Sequence, residues 1–485
     1  MEKCDVAIIG SGIGGLICGS YLAKAGLKII VVEQHDKVGG YCTSFKRNGY
    51  RFDVGVHYLG GIKKGSLSKI FKELDIKDTI KFKQFNPTDK LVMPNNTIYI
   101  KNNIDETVQG FKRAFSRDTK DINKFFKFIL DPNFLEIYSK TKKMNFLEFL
   151  NEYFKNKELK ATLEALLGIG NVGLSANNAS AISSILLFRE FIADPGWYPK
   201  GGIQNIPDTL AKIIINNKGD VILSTKVVEI LTKNGEAEGV VLDNGTKIKA
   251  KKIVSNVDVT QTFKKLLKIN TKQKQLCDEL RISPSFFSVY LGLKDKFKEV
   301  INNSATIWSF STYNISNCYS DLRKIINPEE EIQYLLCVFP FLHDKITYNK
   351  PTMQILIPAP FESLNLWNGY RNYLMDKLIK KAEEIIPSLG TYVESKINAT
   401  PYTFYHYTLN RNGAAYGWAS TPYIIRKSLF SNRTSIKNLF LASHWTTGGL
   451  SHGGIPQVSA IGRKTARLIM EEFGLEWKHK LSVIL

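Results

Sequence analysis

Gly10-Ser11-Gly12-Ile13-Gly14-Gly15 and the carboxylate of Glu33, eighteen positions beyond Gly15, have the types and spacing that grip a diphosphate and a ribose. Gly10 permits a tight turn. Gly12 lets backbone approach the phosphates, and Gly15 lets a helix pack closely on a strand, with Gly14 beside it and Gly19 four residues on. A helix opening here aims free N–H groups and a partial positive charge at the phosphates. Glu33 is placed to accept hydrogen bonds from both ribose hydroxyls and to disfavour the extra phosphate of NADP. Gly39 and Gly40 follow Gln34-His35-Asp36-Lys37-Val38, and two adjacent glycines let the chain pass closely over a bound cofactor. Among acid–base candidates His57 comes first, as a proton donor or polar contact, with a structural histidine as the plain alternative. His444 and His452 flank a C-terminal glycine loop, and Tyr416 and His406 come after them. No Ser-His-Asp set has motif support. The six cysteines, at 4, 18, 42, 277, 318 and 337, form no CxxC pair and no metal-ligand spacing with the seven histidines, so no metal is expected.

The elements that must position these residues are legible around them. Asp5 to Ile9 reads as a short buried strand, Ile13 to Ala25 as a helix stopped by Gly26, and Lys28 to Val32 as a second strand. That is a β-α-β unit of about thirty residues, as a parallel sheet needs. Residues 65–195 read as mostly helical. Short strands follow at Val221–Leu223, Val227–Leu231, Gly239–Leu242, Lys247–Ile248 and Lys252–Val254, turned by Asn234-Gly235 and Asn244-Gly245. Further strands are expected at Phe286–Leu293, Tyr334–Phe341 and Gln354–Pro358, a helix over 368–386 ending at Pro387, then a strand over 439–442 and a helix from Ile455 to Phe473. A second GxGxxG, Gly168 to Gly173, follows helix formers (Glu158 to Leu167) where a strand is needed, so it reads as a helix end rather than another nucleotide site. No repeat or low-complexity linker separates domains, which implies interleaving: a dinucleotide domain from 1–64, 197–265 and 430–485, a helical lid over 65–196, and a mixed-sheet substrate domain over 266–429.

The chain has 485 residues, 44% of them hydrophobic, enough for two or three domains and unlike a disordered or fibrous protein. The net charge of +21 has two readings. One is a solvated lysine-rich surface; the other is contact with an anionic membrane through clusters such as Lys140, Lys142, Lys143 or Lys264, Lys265, Lys268. No nucleic-acid module accompanies the charge, so no nucleic-acid partner is expected. Without paired cysteines, free thiols in a reducing, cytoplasmic compartment are the expectation. No apolar run approaches a membrane span, and Glu2 and Asp5 interrupt the apolar start, so a soluble or peripheral protein is expected.

Longer motifs resemble the superfamily of phytoene desaturases, carotenoid isomerases and retinol saturases. Gly39-Gly40-Tyr41-Cys42-Thr43-Ser44-Phe45 followed by Tyr50-Arg51-Phe52-Asp53-Val54-Gly55-Val56-His57-Tyr58-Leu59-Gly60 looks most like the retinol saturase branch. Pro199-Lys200-Gly201-Gly202-Ile203 resembles the segment that re-enters the flavin domain, and Thr225 to Ile230 the strand whose backbone, at Val227, meets the adenine. Val254 to Asp258 resembles the strand end that follows. Asn410 to Gly417 resembles carotenoid isomerases, and Leu439 to His444 through Gly453-Gly454-Ile455-Pro456 resembles the desaturase C-terminus. The resemblance implies FAD as cofactor on a Rossmann-type, glutathione-reductase-like α/β fold. It places Ser443, Gly454 and Ile455 at the flavin, with the last helix aiming its positive end at the flavin's pyrimidine side. It also implies a hydrophobic polyene or isoprenoid substrate whose C=C bonds are reduced, desaturated or isomerised. Ser443-His444 stands where relatives often have Gly with an acidic or small residue. The N-terminal half leans to saturases and the C-terminus to desaturases and isomerases, which leaves the reaction direction open. Two other functions share the nucleotide motifs: a flavin amine oxidase, and a non-enzymatic prenyl-lipid binder like the Rab GDP-dissociation inhibitors.

Overall fold

The computed structural model describes residues 2–169, 174–301, 304–447 and 453–478. Two seven-stranded sheets organise them. In the first, strand Glu2–Ile9 lies between Ile29–Val32 and Lys247–Ser255, parallel to both, with Asp220–Ile222 beyond Ile29–Val32. A hairpin, Val227–Lys233 and Glu236–Leu242, pairs with the beginning of Lys247–Ser255, and Leu439–Leu441 pairs with its last three residues. The hairpin turns at Asn234 and Gly235, both at positive φ, the conformation a two-residue turn demands. The sequence suggested two strands within 247–254; they are one. Lys247, Lys249 and Lys251 alternate outward along its first half, and the strand enters the fully buried interior only at Ile253. The adjacent Lys251-Lys252 marks that crossing, not a break.

The helix Ile13–Lys24 is buried along nearly its whole length, which suits a segment that is apolar on every side. Glycines let its neighbours come close. A methyl on Gly14 would overlap the carbonyl oxygen of Ala442, and one on Gly462, in the closing helix Ile455–Glu472, would overlap the carbonyl of Gly14. At Gly19 a methyl would press on the side-chain ends of Ile214 and Ile8, at 2.9 and 3.0 Å.

The second sheet runs, in spatial order, Val393–Ala399, Ser285–Leu293, Thr352–Ala359, Tyr334–Val338, Thr306–Phe310, Asp89–Val92 and Thr97–Ile100. Its last two strands come from the region expected to be a helical lid. Leu91, Ile98 and Ile100 point inward there with period two, a pattern too short to stand out against the helices that follow. The described residues from Ile104 to Phe191 are mostly helical, around a cluster in which Phe126 contacts Phe111, Phe125 and Phe188 at ring separations of 5.4–5.5 Å. The second glycine motif is preceded by helix Lys157–Leu163 and a wider turn over Glu164–Ile169; Gly170 to Gly173 lie outside the described residues.

A buried ion pair clamps the chain's two ends. Arg463 in the closing helix meets Glu73 with two bonds, at 2.7 and 2.9 Å, and Tyr21 donates to the same carboxylate at 2.5 Å. Removing one member strands the other charge in the interior, which typically costs about 3–5 kcal/mol. Glu73→Ala is therefore expected to lower stability by that order, measured by urea unfolding; a change below about 1 kcal/mol would show that the pair does not hold the ends together.

Candidate active site

One cavity runs between the two sheets. At one end Gly10, Gly12 and Ile13 meet Glu33, Gly39, Gly40 and Val227 on its wall. Asn256 pins the glycine turn: its amide donates to the Gly10 carbonyl at 3.2 Å and accepts from Gly15 N–H at 3.0 Å. Glu33 is equally fixed. One carboxylate oxygen accepts from the Ser11 backbone and hydroxyl at 2.8 and 2.7 Å, the other from His35 N–H at 3.0 Å. Gly39, at φ 125°, donates to the Ser11 carbonyl at 3.0 Å, so the paired glycines cross directly over the first loop.

Two helix N-termini open on this cavity; the N-cap residue of each is a glycine with no capping side chain, neither carries an acid in its first turn, and Asn256 takes the Gly15 N–H of the first. The first follows Gly12; the second follows Gly454, at φ 74°, with Ile455 buried at its tip and Pro456 in the first turn. Buried helix starts leave N–H donors that need an acceptor, and anions supply one. Gly55 adds bare backbone to the wall, with no atom within 4 Å of where a Cβ would stand. The residues present therefore fit a long, doubly anionic dinucleotide.

The other end is apolar and aromatic: Leu187, Phe191, Phe286, Trp308, Leu356 and Tyr416 line it together with His57. His57 stacks on Trp308, with ring centres 6.2 Å apart and planes 14° apart. Among the described lining residues the carboxylates and ammonium groups are Glu33 and Lys226, both at the nucleotide end.

Of the residues singled out from sequence, Gly10, Gly12, Glu33, Gly39, Gly40, Val227, Gly454, Ile455 and His57 share the cavity wall. Gly14 and Gly15 lie behind it, one against Ala442 and the other against Asn256. Ser443 also stands back from the wall; its N–H donates to Thr446 Oγ1 and its hydroxyl accepts from Trp445 N–H. His444 and Tyr416 reach the wall, whereas His406 faces outward and His452 lies outside the described residues. Sequence reasoning missed Asn256 as the pin of the glycine turn, and Trp308, whose strand sits some 250 residues from His57. The signal for Asn256 is a polar residue directly after the buried end, Ile253–Ser255, of its strand.

Burial sets the charges. It lowers His57 to about 4 and His343 to about 3, so both imidazoles are neutral near pH 7. It raises Asp53, which accepts from Tyr198 and Tyr348, and Asp89 to about 7. Unfolded histidine and aspartate titrate near roughly 6.5 and 3.9. Between about pH 4 and 6.5, unfolding thus adds a proton to each histidine and withdraws one from each aspartate. The histidines make stability fall as pH drops; the aspartates make it fall as pH rises. Together these four groups contribute almost no slope. Asp53→Asn removes one opposing contribution, so the difference in Tm between variant and wild type is expected to grow more negative as pH drops through this window. A constant difference across the window would contradict the assignment.

Comparison with known proteins gives this geometry a family. The profile described as flavin containing amine oxidoreductase matches residues 13–342, well over half the chain. The chain is 26% identical to an all-trans-retinol 13,14-reductase of Danio rerio, over 91% of this chain and 82% of that one. It is 22% identical to a 4,4'-diapophytoene desaturase (4,4'-diapolycopene-forming) of Methylomonas sp, over 98% and 96%. An oxidoreductase from Methanosarcina mazei has the same fold, with TM-score 0.67 at 16% identity, covering 97% of this chain and 100% of that one. A cradle built for a dinucleotide and a family profile defined by flavin agree: the chain belongs to the flavin-containing amine oxidoreductases and is an FAD-dependent oxidoreductase.

Proposed function

We propose that this enzyme exchanges hydrogen with, or isomerises, C=C bonds of a hydrophobic polyene or isoprenoid. The observation that carries the reading is the apolar half of the cavity, where among the described residues no carboxylate waits for an ammonium group. An amine substrate would need such a partner or a cage built for a cation. The named activities of the retinol reductase and the diapophytoene desaturase point the same way.

In this reading Gly10, Gly12 and the N–H groups of the first helix hold the pyrophosphate of FAD, and Glu33 holds the ribose. Val227 meets the adenine, Gly39 and Gly40 pass over the cofactor, and Gly454 and Ile455 face the flavin. Ser443 acts at one remove, by shaping the turn before that loop. Bound FAD supplies two-electron chemistry as hydride. The protein's part is to bind and orient the polyene, exclude water and handle the proton. The chain divides functionally into an FAD domain of 1–64, 197–265 and 430–485, a lid of 65–196 and a substrate domain of 266–429, the lid lending strands Asp89–Val92 and Thr97–Ile100 to the substrate sheet. Among the described residues no helix is long and apolar enough to cross a membrane, and the six cysteines are unpaired and buried. We place the enzyme in the cytoplasm, meeting its substrate at a membrane surface through its positive charge.

Anaerobic incubation of FAD-loaded protein with retinoids, carotenoids and unsaturated lipids, followed by mass analysis, tests the substrate class. A product two hydrogens heavier or lighter gives the direction, and unchanged mass with altered retention gives isomerisation. Inertness toward every polyene, with peroxide formed from small amines, would replace this reading with an amine oxidase.

A further inference from the structure

The apolar half of the cavity is backed by an ionisable group that nothing above employs in chemistry. Asp89 is fully buried at the head of strand Asp89–Val92. It divides its carboxylate between two wall side chains: Trp308 Nε1 donates to Oδ1 at 2.9 Å, and the Tyr58 hydroxyl donates to Oδ2 at 2.9 Å. Among the described residues no cation pairs with it. A buried carboxylate without a cation is costly, and taking up a proton relieves the cost.

Hydrogen exchange across a C=C bond needs a proton as well as a hydride. We propose that Tyr58 is the acid–base residue that meets the substrate, and that Asp89 behind it stores the proton. The proposal rests on the polyene reading. In the reducing direction bound FAD, once reduced, would supply hydride to one alkene carbon. The neighbouring carbon forms a C–H bond with the Tyr58 hydroxyl proton as that O–H bond breaks. The phenol oxygen then takes the proton of neutral Asp89, leaving a carboxylate and a restored tyrosine. Desaturation is the reverse sequence.

His57 suits this role less, because burial holds its imidazole uncharged, near 4. Asp89 is raised to about 7 by burial, within reach of both protonation states. Burial, with Asp89 adding to it, pushes the Tyr58 phenol well above its ordinary range, so it rests protonated. The groups facing Asp89 are Tyr58 from the cavity loop and Trp308 from strand Thr306–Phe310, with His57 one ring further on and Ile100 opposite on strand Thr97–Ile100.

Infrared difference spectra of the FAD-loaded protein across pH test the store without any substrate. The expected result is a protonated-carboxyl signal lost as pH rises through about 7, shared with Asp53, from which Asp89→Asn removes one component and in which Tyr58→Phe moves that same component to higher pH by deleting a donor to the charged form. Tyr58→Phe deletes only a hydroxyl, so it keeps the test decisive if Asp89→Asn fails to fold. With an active polyene, Tyr58→Phe should lower turnover by about 10²-fold or more and abolish the limb near neutral pH. FAD content and reduction by dithionite should stay unchanged, and His57→Gln should keep the limb. An Asp89 carboxyl ionised throughout the stable pH range, or a limb that follows His57, overturns the proposal. Carboxyl titration as expected without turnover of any polyene supports the acid–base pair while removing the substrate class.

Discussion

Gly14→Ala is expected to yield protein that does not fold around FAD. The added methyl would stand inside the carbonyl of Ala442 and crowd Asn256 Oδ1, at 3.0 Å. Typical overpacking costs about 1–3 kcal/mol because side chains can shift. Here the obstacle is backbone, held by the bond from Ala442 N–H to the Ser255 carbonyl and by the sheet pairing of Leu439–Leu441. Moving it would displace the loop ahead of the closing helix, and moving the first helix would pull its N–H groups off the phosphates. The loss should therefore exceed the usual range and appear as colourless, aggregated or strongly destabilised protein. Gly110→Ala is the control. It sits inside helix Ile104–Ala114 with its nearest neighbour, Ile98 Cγ2, at 3.8 Å. It should be neutral or gain about 0.5–1 kcal/mol from reduced chain entropy. Normal FAD content and an unchanged melting temperature in Gly14→Ala would refute the close approach.

The second large effect is expected at Glu33. Its carboxylate holds the Ser11 backbone and hydroxyl and the His35 N–H, and thereby sets the curvature of both segments that face the nucleotide. Glu33→Ala leaves the buried Ser11 N–H unpaired, worth about 1–3 kcal/mol, releases the partly buried His35 N–H, and takes away the ribose acceptor. FAD affinity should drop by about 10²-fold or more, measured by equilibrium dialysis with flavin absorbance as readout. Glu33→Gln keeps one acceptor oxygen and should fall between. Wild-type retention of FAD by Glu33→Ala would assign ribose binding to another group.

What could be read from sequence was whatever is written in consecutive residues. Ile13 to Lys24 announces a buried helix by its apolar character on all sides, and Gly10 to Gly15 with Glu33 announces a nucleotide cradle by spacing alone. The paired glycines at 39 and 40 were equally local. The rest depends on contacts between distant segments. Asn256 pins a turn 240 or more positions earlier, and nothing in Ser255-Asn256-Val257 reveals the partner. Strands Asp89–Val92 and Thr97–Ile100 are too short for their alternation to outweigh the surrounding helix formers, and parallel pairing with Thr306–Phe310 decides their fate. His57 drew notice because histidine titrates near neutrality in water. The cavity that changes its behaviour, and the aspartate behind its neighbour, exist only once the second sheet has formed.

The placement of Leu439–Leu441 and Ile455–Glu472 has a consequence for biosynthesis. Gly462 seats the last long helix on the carbonyl of Gly14, and Ala442 closes over the same glycine from the other side. A chain emerging from the ribosome must therefore keep its earliest helix without its covering partner through more than four hundred residues of synthesis. Cofactor capture must then await synthesis of that covering helix, and a truncated product lacking it should be unable to retain FAD however intact its first thirty residues are.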